Sequence, residues 1–256
     1  MPNLHALLME SIPPWKSSPE HPLLRGDDVH VWRAVLDQPA PVMQSFLPIL
    51  APDERDRSAK YYFPRDRDSF VIARGVLRTL LSRYLAMQPD QLRFCYGPQG
   101  KPGLTGLSGT SQIRFSVSHS HELALYAVTQ NRNIGVDVEY VRENLADTGI
   151  AERFFTAKET ERLRALPIER RTEKFFHYWT RKEAYVKACG IGLSLPLNQF
   201  DVSVCTEEGA VVLTVPNQPA EDLVWHLRDL TPAPGYVGAL AVAGGNWRLG
   251  CWNWTR

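Results

Sequence analysis

The helices and strands that this sequence predicts occur in the same order twice. Residues 66–87 and 173–189 carry apolar side chains at the spacing of a long amphipathic helix. A strand and a shorter helix precede each of them, and three or more short strands with alternating apolar and polar residues follow. This recurrence predicts an α+β fold of two similar halves, in which each long helix packs on a small antiparallel sheet.

The repeated pattern divides the chain into three segments. Residues 1–28 form an N-terminal arm, because their short apolar stretch soon reaches Pro13 and Pro14. Residues 29–130 form the first half and residues 131–256 form the second half. Both walls of a cleft between the halves would come from one chain, so we expect a monomer.

Charge and cysteine content exclude several classes of function. The 29 Lys and Arg residues nearly balance the 28 Asp and Glu residues, whereas non-specific nucleic-acid binding requires clustered positive charge. No run of 18 apolar residues occurs, so we expect no membrane-spanning helix. The four cysteines form no CxxC pair, which argues against a zinc ribbon or a disulfide framework and favours the reducing cytoplasm.

Two carboxylates lie on one predicted strand, in the segment GVDVE. Alternate residues of a strand point to the same face, so Asp137 and Glu139 project together while Val136 and Val138 face the core. Neighbouring carboxylates repel each other and need a cation or a shared proton. Oxygen ligands favour a hard divalent ion, above all magnesium. The alternative is an exposed strand face whose acids pair with lysine or arginine.

A second group of charges lies on the helix that contains WTRKEAYVK. Glu183 and Lys187 are four residues apart and are therefore neighbours on the helix surface, beside an apolar stripe. Lys182 falls within that stripe, where a lysine that only improves solubility would not lie. Glu183 can supply a third carboxylate to the strand pair, and Lys187 can supply a cation beside it. The alternative is an ordinary exposed Glu–Lys pair.

Three weaker signals point to phosphate binding. The segment SVSHS brings Ser118 and His119 to a strand end, where hydroxyl and imidazole groups can hold a phosphate. Lys101 and Pro102 lie in the turn QGKP. Arg57 belongs to an arginine-rich helical region suited to a phosphate clamp. Each has a simpler interpretation: a structural histidine, a plain turn and a solvated, salt-bridged helix face.

These motifs together resemble the 4′-phosphopantetheinyl transferases of the long, Sfp type. GVDVE followed about 40 residues later by WTRKEAYVKACG matches the defining pattern of that family, and QGKP, SVSHS and the late PGY extend the resemblance over roughly residues 29–245. The resemblance implies a fold whose halves are related by a pseudo-twofold axis. It also implies magnesium-dependent transfer of the phosphopantetheine arm of coenzyme A to a serine of an apo acyl or peptidyl carrier protein, with release of 3′,5′-ADP.

The resemblance also assigns roles to the residues. Asp137, Glu139 and Glu183 would hold magnesium, and Glu183, directly or through a water, would be the base for the incoming serine. Lys187 would meet the pyrophosphate of coenzyme A, with Asp137 beside it.

On the nucleotide side, the resemblance brings Lys101 and Pro102 near the nucleotide of coenzyme A. Ser118, His119 and Arg57 would contact the 3′-phosphate. Two alternatives stay open: a magnesium-dependent phosphohydrolase that uses the same three carboxylates, and a carrier-binding protein without catalytic activity.

Overall fold

The computed structural model describes residues 13–105, 113–142, 149–190, 192, 195–202, 211–212 and 225–256. The strands are β1 Lys16–Ser17, β2 Asp28–Val35, β3 Arg93–Tyr96, β4 Pro102–Thr105, β5 Ile113–Ser120, β6 Leu123–Gln130, β7 Ile134–Tyr140, β8 Val211–Val212, β9 Trp225–Leu230, β10 Tyr236–Ala243 and β11 Arg248–Asn253. The helices are α1 Ala40–Phe46, α2 Pro52–Ala59, α3 Pro64–Leu85, α4 Ile150–Phe154, α5 Ala157–Arg164 and α6 Ile168–Cys189, with short 3-10 turns at Leu47–Ile49, Pro89–Gln91 and Leu197–Gln199.

The α+β fold class is confirmed. One sheet has the order β1-β11-β2-β6-β5, a second has the order β7-β10-β9-β8, and β3 and β4 form a separate hairpin. Buried side chains of α3 pack on the first sheet, and buried side chains of α6 pack on the second. The two long helices therefore cover the outer faces of two small sheets. The pseudo-twofold relation between the halves stays a prediction.

A third cluster of apolar side chains joins the two sheets face to face. Val29, Val31 and Leu125 of the first sheet meet Val136 and Leu240 of the second. Because both faces of the first sheet are covered, six central residues of β6 are completely or almost completely buried. The alternation of β7 turns Val136 and Val138 into this core and leaves Asp137 and Glu139 on the side of α6, as the sequence predicts.

The last strand returns to the first sheet. β11 runs parallel to β2, with Cys251 opposite Val31, and also parallel to β1. The sequence division assigns residues 131–256 to the second half and residues 1–28 to an arm, but strands from both segments complete the first sheet. Burial of Cys251 between the sheets favours this arrangement.

The remaining predicted elements are found with small shifts of their ends, apart from one strand. After the second long helix, the alternating pattern predicts one strand at 200–204 and the next at 211–215. No continuous strand forms over residues 200–202, and residues 203–204 and 213–215 lie outside the described residues, as do residues 1–12 of the arm. None of the described helices is long and apolar enough to span a membrane.

Candidate functional site

The glycine of GVDVE brings the carboxylate strand against the long helix. A side chain at Gly135 would collide with the backbone of α6 at Ala184 and Ala188. Its absence lets β7 approach α6 directly, and these two elements make extensive contact. Asp137 and Glu139 thereby come to the same cleft as Glu183 and Lys187.

Serine side chains of β5 join the edge of the second sheet to the edge of the first. Val136 and Tyr140 each donate a backbone N–H to a hydroxyl, that of Ser116 at 3.1 Å and that of Ser120 at 3.2 Å. Ser120 in turn donates to Glu139 Oε2 at 2.6 Å. The hydroxyls therefore satisfy edge N–H groups of β7 and hold the carboxylates in position.

Asp137 is the centre of the site. It is 4% exposed, and its Oδ1 accepts hydrogen bonds from Ser118 Oγ at 2.7 Å and from Lys187 Nζ at 2.7 Å. The Lys187 ammonium also donates to Ser118 Oγ at 2.7 Å. The other oxygen, Oδ2, is buried and has no hydrogen-bond partner. Because an unpaired buried carboxylate oxygen is costly, it marks a place for a ligand.

The two glutamates beside Asp137 are held in a strained electrostatic environment. Burial raises the pKa of Glu183, and the charges of Asp137 and Glu139 raise it further, while Lys187 opposes them. Burial also raises the pKa of Glu139, with a further contribution from Asp137. Three carboxylates and one ammonium therefore share the cleft, and a cation would relieve their repulsion.

The side chains present fit a hard divalent cation in their chemistry. Within the described parts of the chain, no three His, Cys, Asp or Glu side chains converge closely enough to form a metal centre as they stand. The candidate ligand atoms are nevertheless all carboxylate oxygens, which suit magnesium. Asp137 Oδ2, which has no hydrogen-bond partner, is available as one of them.

Two adjoining cavities extend from this cluster. The first, of about 260 Å³, lies between residues 99–102 and α6, where Glu183 and Lys187 form part of its wall. The second, of about 200 Å³, is lined by Arg57 and His119 together with aromatic side chains. Pro102 lines both cavities. Their shared wall makes one cleft, with Glu183 and Lys187 at one end and Arg57 at the other.

The predicted phosphate residues separate into two groups. Ser118 faces Asp137 and Lys187, whereas His119, the next residue of β5, faces the cavity of Arg57. Burial lowers the pKa of His119, and the nearby positive charges of Lys187 and Arg57 lower it further. His119 can therefore offer a hydrogen bond as a neutral imidazole.

Lys101 lies at the end of the turn between β3 and β4 and lines the cavity of Glu183 and Lys187. Its Nζ donates to the Ile134 carbonyl at 3.1 Å and to the Ala188 carbonyl at 3.2 Å. The side chain therefore joins the β3–β4 hairpin to the first residue of β7 and the last turn of α6.

Some residues of the predicted motifs make contacts that the sequence does not specify. Ser116 and Ser120 hold β7 through their hydroxyls, and their period of two with Ser118 is a signal that one strand face carries all three. Arg74 lines the Arg57 cavity and is fixed by an ion pair with Glu54, Nε to Oε1, at 2.8 Å. No local pattern identifies that buried pair, because its partners lie on different helices.

Comparisons with known proteins match nearly the whole chain. A family model described as 4'-phosphopantetheinyl transferase superfamily matches residues 133–241. A second, described as 4'-phosphopantetheinyl transferase, N-terminal, matches residues 32–131. The two matches cover both the serine-bearing strand and the carboxylate strand.

Three curated proteins are similar to this chain. The 4'-phosphopantetheinyl transferase HetI of Nostoc sp. is 40% identical over 240 residues, which are 94% of this chain and 98% of HetI. A putative 4'-phosphopantetheinyl transferase, slr0495 of Synechocystis sp., is 37% identical over 66% of this chain and 68% of its own length. The 4'-phosphopantetheinyl transferase Sfp of Bacillus subtilis is 28% identical over 78% of this chain and 85% of its own length.

Proposed function

Because this chain belongs to the 4′-phosphopantetheinyl transferase superfamily, we propose that it transfers the phosphopantetheine arm of coenzyme A to an apo carrier protein. The acceptor is a serine hydroxyl of an acyl or peptidyl carrier, and the second product is 3′,5′-ADP. The observation that carries this proposal is the buried Asp137, whose Oδ2 lacks a partner amid two further carboxylates and the Lys187 ammonium.

The carboxylates are the proposed magnesium ligands. Asp137, Glu139 and Glu183 would hold Mg²⁺, which when bound would neutralise charge on the pyrophosphate. The unpaired Asp137 oxygen and the mutual repulsion of the three acids support this set. Lys187 is the proposed cation for a pyrophosphate oxygen, because its ammonium already lies at the cleft, 2.7 Å from Asp137.

Glu183 is the proposed general base. The serine oxygen of the carrier forms a bond to the phosphorus that bears pantetheine, and the bond from that phosphorus to the oxygen of 3′,5′-ADP breaks. The serine proton passes to Glu183, directly or through a water. Glu183 lines the cavity together with Lys187, so an incoming serine hydroxyl, or a water in that cavity, can reach its carboxylate and transfer a proton to it.

The nucleotide end of coenzyme A is proposed to occupy the Arg57 cavity. Arg57 and His119 line it and would contact the 3′-phosphate, with Ser118 between this cavity and the carboxylates. Pro102 and Lys101 belong to the turn between the two cavities. A single ligand with phosphates at both ends of its nucleotide would therefore contact both halves of the chain.

The proposal also includes the oligomeric state, the cellular location and the partners of the enzyme. We expect a monomer, because one chain supplies both walls of the cleft, and the cytoplasm, because the described cysteines Cys95, Cys189 and Cys251 are free. Coenzyme A and the carrier are the proposed partners, with no role for nucleic acid or a membrane.

Release of 3′,5′-ADP tests this function. Purified protein is incubated with coenzyme A and magnesium, with and without an apo carrier, and nucleotide products are quantified. The proposal requires 3′,5′-ADP only when the carrier is present, together with a matching gain in carrier mass. Release without a carrier would instead support a magnesium-dependent phosphohydrolase. Carrier binding without any product would support a non-catalytic binding protein.

A further inference from the structure

We propose that Lys101 is a positioning residue whose ammonium fastens the tip of the β3–β4 hairpin to the second half of the chain and so fixes the shape of the coenzyme A cleft. The hairpin tip is defined as residues 97–101. The kinetic test of this inference depends on the proposed function, whereas the hydrogen-exchange test on the free protein is independent of it.

The hairpin tip needs an external contact to have a fixed position. Among the described strands, β3 and β4 pair only with each other and are not part of either larger sheet. Within the tip, Gly97 donates a backbone N–H to the Lys101 carbonyl at 2.9 Å, and Gly100 donates to the Gly97 carbonyl at 2.8 Å. These bonds close the turn but do not orient it relative to α6.

The Lys101 side chain supplies that contact. Its Nζ donates to the Ala188 carbonyl, in the last turn of α6, and to the Ile134 carbonyl, at the start of β7. The last carbonyls of a helix lack partners within the helix, and a cation there interacts favourably with the helix dipole. One ammonium therefore joins the hairpin tip to both elements that carry the carboxylates and Lys187.

A second contact lies beside the first. Gly192, after the end of α6, has a φ of +57°, and a Cβ added to it would lie 2.6 Å from Gln99 Cβ. The residue thus permits close approach of the hairpin tip to the turn after α6. Gly190 has a similar φ of +71°, but its added Cβ would meet only Lys101 Cδ at an ordinary 3.6 Å.

The hairpin tip forms part of the wall of both cavities. Gln99, Gly100 and Lys101 line the cavity of Glu183 and Lys187, and Gly100 also lines the cavity of Arg57 and His119. Loss of the Lys101 contact should therefore weaken binding along the whole cleft. A direct contact to the 3′-phosphate would weaken only ligands that carry that phosphate.

The environment of the ammonium adds a dependence on pH. The pKa of Lys101 is lowered to about 8, mainly by burial and also by the charge of Arg114 of β5, while Cys189 of α6 opposes the shift. Lys101 lines two cavities, one with Glu183 and Lys187 and a second with Arg114 and Arg132. The contact should weaken as the pH rises through 8, because a neutral amine is a weaker donor.

The kinetic test compares Lys101→Met with the wild type on coenzyme A and 3′-dephospho-coenzyme A. Loss of a hydrogen bond to a charged group changes an equilibrium constant by about tenfold to hundredfold. We expect KM to rise by a factor in this range, equally for both substrates. The wild-type KM should rise above pH 8, and that of Lys101→Met should not. A loss confined to coenzyme A would overturn the proposal, since the ammonium would then contact the 3′-phosphate.

Gly192→Ala and Gly190→Ala form a matched pair for the same contact. Both place alanine at a positive φ, but only Gly192→Ala collides with Gln99. We expect Gly192→Ala to raise KM for both substrates more than Gly190→Ala does. Equal effects of the two variants would show that backbone strain, and not the hairpin contact, determines the result.

Hydrogen exchange of the free protein tests the contact without any turnover. Loss of the ammonium should accelerate exchange of the Gly97 and Gly100 amides in Lys101→Met, while the amides of α3 stay protected. Unchanged exchange at the hairpin tip would contradict the proposal even in an active enzyme. If the wild type failed to transfer phosphopantetheine, accelerated exchange would still support the positioning contact.

Discussion

Two lysines of α6, five residues apart, each pair with a carboxylate, but their surroundings differ completely. Lys182 Nζ lies 2.8 Å from Glu159 Oε2, and both side chains are 0% exposed. Lys187 Nζ lies 2.7 Å from Asp137 Oδ1, with its side chain 31% exposed. The distance between the charged atoms therefore does not separate the two pairs.

The difference lies in the remaining hydrogen-bonding capacity. Lys182 also donates to the carbonyls of Leu197 and Phe200, at 2.7 and 2.6 Å. Glu159 accepts backbone N–H groups from Thr156 and Val202. The Lys182 ammonium and both carboxylate oxygens of Glu159 therefore have hydrogen-bond partners within the protein. Asp137, in contrast, keeps a buried oxygen without a partner, beside two glutamates of raised pKa.

A complete pair stabilises the fold, whereas an incomplete pair is ready to bind a ligand. The Lys182–Glu159 pair connects α6, α5 and the segment around Leu197 in the core of the second half. The Lys187–Asp137 pair lies where the cleft opens. The motif WTRKEAYVK thus combines one structural lysine and one proposed functional lysine on neighbouring turns.

The largest effect on stability is expected for Lys182→Met. Removal of one partner of a buried ion pair leaves Glu159 charged and buried, which costs about 3–5 kcal/mol of unfolding free energy. Chemical denaturation measures this loss. Lys187→Met, the matched variant at the pair beside the cleft, should lose less stability, because the Lys187 side chain is 31% exposed and water from the cleft can take its place. A similar loss in both variants would contradict the distinction between the pairs.

The double variant Lys182→Met/Glu159→Gln sharpens the same comparison. Replacing the carboxylate removes the unpaired charge, so part of the lost stability should return. Transfer activity per folded molecule should stay near the wild-type value, because neither residue lines the cleft. A double variant that is as unstable as Lys182→Met would show that packing, and not charge, dominates this site.

The largest effect on activity is expected for Asp137→Asn. Loss of one charged group that stabilises the transition state costs about a hundredfold to a thousandfold in rate. The fold should be retained, because the substitution also relieves repulsion among the three carboxylates. Rates on an apo carrier and thermal unfolding measure the two effects. Near-native turnover at low magnesium would contradict the three-carboxylate site.

The pH dependence of stability distinguishes Glu183 from Asp229. A raised pKa in the folded protein means that the native state binds the Glu183 proton more readily than the unfolded chain does. This contribution is complete below the ordinary glutamate pKa and is lost as the pH rises through the raised value. Glu183→Gln should therefore gain stability relative to the wild type as the pH rises above the ordinary glutamate value of 4.5, measured without metal by thermal unfolding.

Asp229 should show the opposite trend. Hydrogen bonds from His177 and Arg181 and their charges hold its pKa far below the usual value, although burial alone would raise it. Its contribution to stability is present above the ordinary aspartate pKa and is lost as the pH falls through the depressed value. Asp229→Asn should therefore be most destabilising near neutral pH and least destabilising in acid. Identical pH trends in the two variants would contradict the assigned environments.

The smallest effect is expected for Ser120→Ala. The variant loses a hydrogen bond to Glu139 and the acceptor for the Tyr140 N–H, at a cost of about 0.5–1.5 kcal/mol in unfolding free energy. Thr129→Val is a useful control, because its hydroxyl bonds to the Asp28 carbonyl far from the cleft. Only Ser120→Ala should also alter transfer rate.

Local patterns in the sequence were sufficient to predict much of the site. The alternation of GVDVE predicted the common face of Asp137 and Glu139, and the helical spacing of α6 predicted the positions of Glu183 and Lys187 and the burial of Lys182. These properties depend only on neighbours along the chain. The family resemblance, which the comparisons confirm, added the reaction.

Long-range contacts were beyond the reach of those patterns. The pairing of β11 with β2 depends on an open sheet edge more than 200 residues away. Arg74 and Arg78 are buried against Glu54, because α2 packs beside α3. The exposed arginines Arg65 and Arg67 keep the solvated, salt-bridged face that the sequence indicates. The Lys101 contact requires the hairpin, β7 and α6 to be assembled first.

The intact mass of an apo carrier tests the central claim most directly. The carrier is incubated with coenzyme A, magnesium and equal amounts of folded wild type, Lys182→Met/Glu159→Gln or Asp137→Asn. The account predicts a mass increase of one phosphopantetheine arm on the acceptor serine with the first two proteins and almost none with Asp137→Asn. Two results would contradict it: no modification of any carrier in a panel by folded wild type, or full modification by Asp137→Asn.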